Sequence, residues 1–161
     1  IEMTYQERIV AMTRAAGESF YRNCEAVPEE KREWKPAETA RTVLDQAQEC
    51  ATTGNWIIPL IETGEPRPFT PEIVAMLKEE RQSLKTIADC ASAARDEMEK
   101  LAEVILAVPD SALDDVISLP FAEGMTMSRA EVMMMTYWNY VYHTGQVAYI
   151  QRLYGDVEMH G

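Results

Sequence analysis

Asn139, His143 and Gln146 lie four and three residues apart in the stretch Asn139-Tyr-Val-Tyr-His143-Thr-Gly-Gln146. At helical spacing that places all three on one face. Met135, Tyr142, Ile150 and Leu153 fall on or beside the same face, so the polar groups are set into an apolar stripe. Leaving a buried polar group unpaired costs about 1–3 kcal/mol, so each is expected to have a partner. His143 is one of only two histidines, and the other, His160, is next to the last residue. A ring nitrogen at His143 suits either a divalent metal or a neighbouring carbonyl or hydroxyl.

Other chemistries are not supported. There is no Gly-x-Ser-x-Gly elbow, no phosphate-binding glycine loop and no His-Glu-x-x-His. The Glu-x-x-His pairs of ferritin-like carboxylate bundles are also absent. Cys24, Cys50 and Cys90 are odd in number, widely spaced and free of Cys-x-x-Cys. They read as small buried hydrophobes in a reducing cytoplasm rather than as a disulfide framework or a zinc site. The formal net charge of −12, from 27 acidic and 15 basic residues, opposes nucleic-acid binding, which depends on neutralising phosphates. It also disfavours anionic membranes, and no apolar run is long enough to span a bilayer. The N-terminus, with Glu2, Glu7 and Arg8, does not read as a signal peptide. The 161 residues fit one domain, 1–161.

The elements that position these residues are helical. Thr4-Tyr-Gln-Glu7 reads as a capping box opening a first helix from about Thr4 to Ala26, with Ile9, Met12, Ala16 and Phe20 as its stripe. Pro36 suits the first turn of a second, running to about Glu62 with a break near Gly54. Its buried side is Val43, Ala47, Cys50 and Ile57. Residues 64–69 form a loop, and Trp34 and Trp56 are expected under loops. Thr70-Pro71-Glu72 starts a long third helix to about Ala107, long enough to bend. Its seam is heptad-like: Leu84, Ile87, Ala91, Ala94, Met98, Leu101, Ile105 and Val108. Val116–Leu119 and Met125–Met127, flanking 120–124, suggest a short hairpin-like extended segment. Ser128-Arg-Ala-Glu131 caps a last helix that runs to about Leu153, ended by Gly155. The fold predicted is all-α, a four-helix bundle with a short extended segment before the last helix. Met133–Met135, Tyr137 and Trp138 are bulky on more than one face of that last helix, which fits packing and a homodimer interface.

This layout, the terminal His143-Thr-Gly-Gln146 with Leu153-Tyr-Gly155, and the second-helix stretch Arg41-Thr-Val-Leu-Asp-Gln-Ala-Gln-Glu49 through Trp56 together resemble the DinB-like metal-binding bundles. These are related to the mycothiol- and bacillithiol-dependent transferases. Members typically carry His-x-x-x-His before Gly-Gln in the last helix and a further histidine on the second. The resemblance implies ligand positions at Glu49, Asn139 and His143, so three imidazoles become Glu, Asn and His. That oxygen-rich set tilts preference from zinc towards nickel, manganese or iron and lowers affinity. Asp45 and Gln46, one turn before Glu49, are candidates to orient a ligand. The implied activity is metal-assisted transfer of a low-molecular-weight thiol, or hydrolysis, in a cytoplasmic homodimer. The alternative is a non-catalytic small-molecule-binding or interaction bundle with a decayed site. In it Glu49 pairs directly with His143, and Asn139 joins a network with Gln146.

Overall fold

The structure, a computed structural model, describes residues 2–119 and 124–161. Helix α1, Tyr5–Ala26, opens on the expected capping box, with the Thr4 hydroxyl accepting from the Glu7 amide and Glu7 accepting from the Thr4 amide. Its buried stripe is not quite the one predicted. Ile9, Thr13, Gly17, Phe20 and Cys24 face inward, whereas Met12 is exposed. Thr13 tolerates burial because its hydroxyl bonds back to the Ile9 carbonyl at 2.7 Å.

The second helix begins at Val43, not Pro36. Thr42 supplies an N-cap to the Asp45 amide at 3.0 Å, and this satisfied cap fixes the start better than a proline with no capping side chain. The helix then divides, near the expected place, into α2, Val43–Thr52, and α3, Gly54–Thr63. At the break the Gly54 amide donates to the Glu97 carboxylate at 2.7 Å. A Cβ at position 54 would lie 2.5 Å from the Glu97 side chain, so only glycine lets that carboxylate approach. Gly64, at φ 76°, ends α3 in the left-handed region.

The long third helix is two helices. Thr70 caps α4, Pro71–Ser83, and a second capping box, Thr86 with Asp89, opens α5, Ile87–Ala107. Leu84 adopts an extended conformation between them, because a Thr-x-x-Asp sequence offers the backbone a fresh start. The predicted seam holds within α5, where Ile87, Ala91, Ala94, Met98, Leu101 and Ile105 are buried.

Strands β1, Val116–Ser118, and β2, Thr126–Ser128, pair antiparallel with Ile117 opposite Met127. The predicted connection over 120–124 lies outside the described residues except for Gly124. The Ser128–Glu131 capping box opens α6, Arg129–Met133, which stops after five residues; α7, Met135–Leu153, follows. Gly155, at φ 95°, turns the chain after it.

Helix α1 packs on α7 and α5, and α5 also carries α2 and α3, while α4 lies against α2. The four-helix bundle with a short extended hairpin is therefore present. Two core clusters fill it. One gathers around Phe20, Tyr21, Ala47 and Val147, the other around Leu60, Leu101, Ile105 and Met133. Trp34 packs edge-on to Tyr154, and Trp56 stacks on Phe69 of the 64–70 loop. Among the described residues no helix is long and apolar enough to cross a membrane.

Candidate functional site

Glu49 on α2 and His143 on α7, 94 residues apart in sequence, meet across the bundle, with Nε2 3.2 Å from Oε1. His143 is only 2% exposed. Its face of α7 is shared by Thr136, Tyr140, Val147, Ile150 and Gln151, all buried. Tyr142 and Leu153, predicted beside it, point outward instead. Tyr142 is one residue from His143 and Leu153 two from Gln151, and a helix rotates about 100° per residue.

The other ring nitrogen is held as well. Nδ1 donates to Gln46 Oε1 at 2.8 Å, and Gln46 is itself 1% exposed. Gln46 thus takes the orienting position predicted for it. Both ring nitrogens thus face side-chain oxygens.

Arg41 was not anticipated as part of the site. Its guanidinium reaches Glu49 Oε2 and, through Nε at 2.6 Å, Asp45 Oδ2. Arg81, on α4, bonds the other side of Asp45. The result is a line of alternating charge, Arg81–Asp45–Arg41–Glu49, that ends on His143. The hydrogen bond from His143 is the largest influence on Glu49. With Arg41 it outweighs burial and draws the carboxyl down to about 2. At Asp45 burial opposes the charge, but Arg41 and Arg81 outweigh it and hold the pKa below the usual carboxylate range. The signal was in the sequence, since Arg41, Asp45 and Glu49 recur every fourth residue. Arg41 nevertheless precedes the helix it serves.

Asn139 sits one turn before His143, half-buried. Its amide donates to Thr53 Oγ1 at 3.1 Å and lies 3.6 Å from Cys50 Sγ. The predicted network between Asn139 and Gln146 does not form. Gln146 is a further turn along, and among the described residues it makes no side-chain hydrogen bond. Cys50, like Cys24 and Cys90, is a free, buried thiol. Burial pushes its pKa well above the usual thiol value, which suits packing and not nucleophilic attack.

Glu49 and Asn139 form part of the wall of a pocket of about 620 Å³ between α2, α3, α4 and α7. The stacked rings of Trp56 and Phe69, 4.4 Å apart and 9° from parallel, make another wall. A second unforeseen group, Glu97, lies on α5 behind the α2–α3 break. Burial raises its carboxyl to about 7 despite the Gly54 amide and Lys100; Glu80 adds to the rise.

The molecule is a four-helix bundle with a short hairpin before its last helix, and a carboxylate–histidine pair stands beside a pocket. The chain belongs to the DinB family, whose profile matches residues 3–160. It is similar in fold to the DinB-like protein YjoA of Bacillus subtilis, at 17% identity and a TM-score of 0.65 over 94% of this chain and 95% of that one. It is also similar to Bacillus subtilis YfiT, described as a probable metal-dependent hydrolase with an unusual four-helix bundle topology. That match has 12% identity and a TM-score of 0.74 over 96% of this chain and 90% of that one. A mycothiol-dependent maleylpyruvate isomerase matches at 15% identity and a TM-score of 0.61, over 91% of this chain and 63% of that one. No curated protein matches by sequence. At these identities the structural likeness concerns the fold.

Proposed function

We propose that this chain binds a small organic molecule in the pocket beside Glu49, above a polar network that works without a metal ion. The observation that carries the reading is the sharing of the Glu49 carboxylate between the Arg41 guanidinium and His143 Nε2. A divalent ion needs a free carboxylate oxygen and an imidazole lone pair. Here a guanidinium already neutralises Glu49, and the ring edge that would ligate faces a carboxylate. The third expected donor, Asn139, has its amide on Thr53. Among the described residues no cluster of three His, Cys, Asp or Glu side chains could hold an ion. The donors present therefore do not fit a three-point metal site, and no chemical step is routed through one.

Within this reading each residue has a plain task. Gln46 fixes the His143 ring, His143 and Arg41 hold Glu49 ionised and in place, and Asn139 and Thr53 offer neutral hydrogen-bonding groups at the pocket wall. The test is binding of a naphthalene probe to tag-free protein with and without EDTA. Saturable binding that EDTA leaves unchanged is expected. Binding that EDTA abolishes and nickel or zinc restores would overturn the reading.

A second reading has one observation in its favour. A buried amide oxygen fixing Nδ1 is the usual way to orient a metal-bound histidine, and Gln46 is placed to do so. In that reading Glu49, Asn139 and His143 hold nickel, zinc, manganese or iron, and the protein is a thiol transferase or hydrolase with a low-molecular-weight thiol as co-substrate. It requires Arg41 and Asn139 to release their present partners. In either reading we place the chain in the cytoplasm as a homodimer. Three buried thiols suit a reducing compartment. An outward stripe on α7 of Trp138, Val141, Tyr142, Tyr149 and Leu153 suits a second copy.

A further inference from the structure

We infer that the ligand of the pocket beside Glu49 is an amphipathic monocarboxylate: a flat apolar body carrying one acid group. The inference rests on the small-molecule reading above and adds the chemical class. The ionised groups lining the pocket are Lys78, Arg81 and Glu49, which leaves a single positive charge in a chain of net charge −12. Glu49 opposes an anion only weakly, because Arg41 and His143 engage both of its oxygens. Lys78 has no ion-pair partner among the described residues. Arg81, three residues along the same face of α4, gives one nitrogen to Asp45 and keeps the rest of its guanidinium without a partner among the described residues. Two cations at i and i+3 make a place for one carboxylate.

The apolar body is specified by the aromatic and aliphatic part of the lining. Phe69 is 56% exposed, yet it lies parallel to Trp56. The stack presents a flat aromatic surface, and Val74 and Leu77 of α4 line the same pocket. The loop carrying Phe69 is fastened, since Arg67 donates to Asn55 Oδ1 at 3.3 Å and Asn55 donates to Glu80 at 3.2 Å. A pocket of about 620 Å³ is of drug-ligand size. A second acid group on the ligand would fall towards Glu49 and Asn139, where among the described residues no free cation lines the pocket, so a monoacid is preferred to a diacid.

The experiment is a titration of the full chain followed through the Trp56 indole N–H in 1H–15N spectra. The probes are 2-naphthoate, neutral 2-naphthalenemethanol and 2,6-naphthalenedicarboxylate. The expected order is naphthoate tightest, with Lys78→Gln weakening naphthoate about tenfold and leaving the alcohol unchanged. Lys78 is exposed, so its replacement leaves folding intact. Trp56→Phe keeps a stacking partner and assigns the signal. Should the alcohol or the diacid bind as tightly as naphthoate, or should Lys78→Gln have no effect, the monocarboxylate assignment fails and the small-molecule reading stands. Absence of saturable binding by all three probes overturns both.

Discussion

Glu49 has two carboxylate oxygens and two close partners, and that competition decides what the site can do. Arg41 and His143 each supply a charge-assisted hydrogen bond, roughly twice as strong as a neutral one. Their mutual dependence is measurable. A double-mutant cycle with Glu49→Gln and His143→Gln is expected to give a coupling of about 1–2 kcal/mol in chemical denaturation. Additive effects would mean the two side chains ignore each other. Arg41→Met should cost about 1–2 kcal/mol by stripping Glu49 and Asp45 of their shared partner. Glu97 provides a test with the opposite sign. Its carboxyl stands at about 7 in the fold against an ordinary 4.5, so the folded chain binds more protons between those values. Its contribution is therefore most favourable below about pH 4.5 and declines as pH rises through 7. Glu97→Gln keeps an acceptor for the Gly54 amide and removes the buried charge. The variant should gain about 1–2 kcal/mol at pH 8 and nothing at pH 5, read from melting curves at the two pH values.

At the scale of elements, the helices that announce themselves are those with a cap in the sequence. Thr4-x-x-Glu7, Thr70-Pro71 and Ser128-x-x-Glu131 each mark a real start. The differences lie at Thr86-x-x-Asp89, whose cap divides 71–107, at Thr42, whose cap starts the second helix later than Pro36, and after Met133, where the last helix divides with no side-chain cap to mark it. The division near Gly54 was visible, but its cause was not, because Glu97 comes from another helix and tertiary approach leaves no local pattern. The same limit applies to the site. That Glu49 and His143 belong to one site was legible through the family resemblance, and the structure brings the two side chains together. Arg41 reaching Glu49 follows from the four-residue spacing of Arg41, Asp45 and Glu49, whereas Asn139 turning to Thr53 and away from Gln146 depended on packing between helices. One element-scale test follows. Gly54→Ala places a Cβ 2.5 Å from the Glu97 side chain, and forcing that carboxylate away should destabilise the protein by about 1–3 kcal/mol in urea. A change below about 0.5 kcal/mol would show that Glu97 moves freely.

The whole molecule is acidic, yet charges alternate in sign along the half-buried line from Arg81 to Glu49, and an uncovered apolar stripe runs along α7. Tyr142 is 65% and Tyr149 67% exposed on that surface. If a second copy covers it, sedimentation should show a dimer, and Tyr149→Glu should shift it to monomer by placing like charges in the seam. An unchanged sedimentation coefficient would dissociate this face from assembly. The central claim, that the carboxylate–histidine pair of this DinB-family chain serves a metal-independent pocket, has a more direct test. Tag-free protein is dialysed against nickel and zinc at low concentration, then analysed for bound metal alongside Glu49→Gln and His143→Gln. Far less than one ion per chain is expected in all three proteins, with no difference among them. One ion per chain in the parent, lost in both variants, would contradict it.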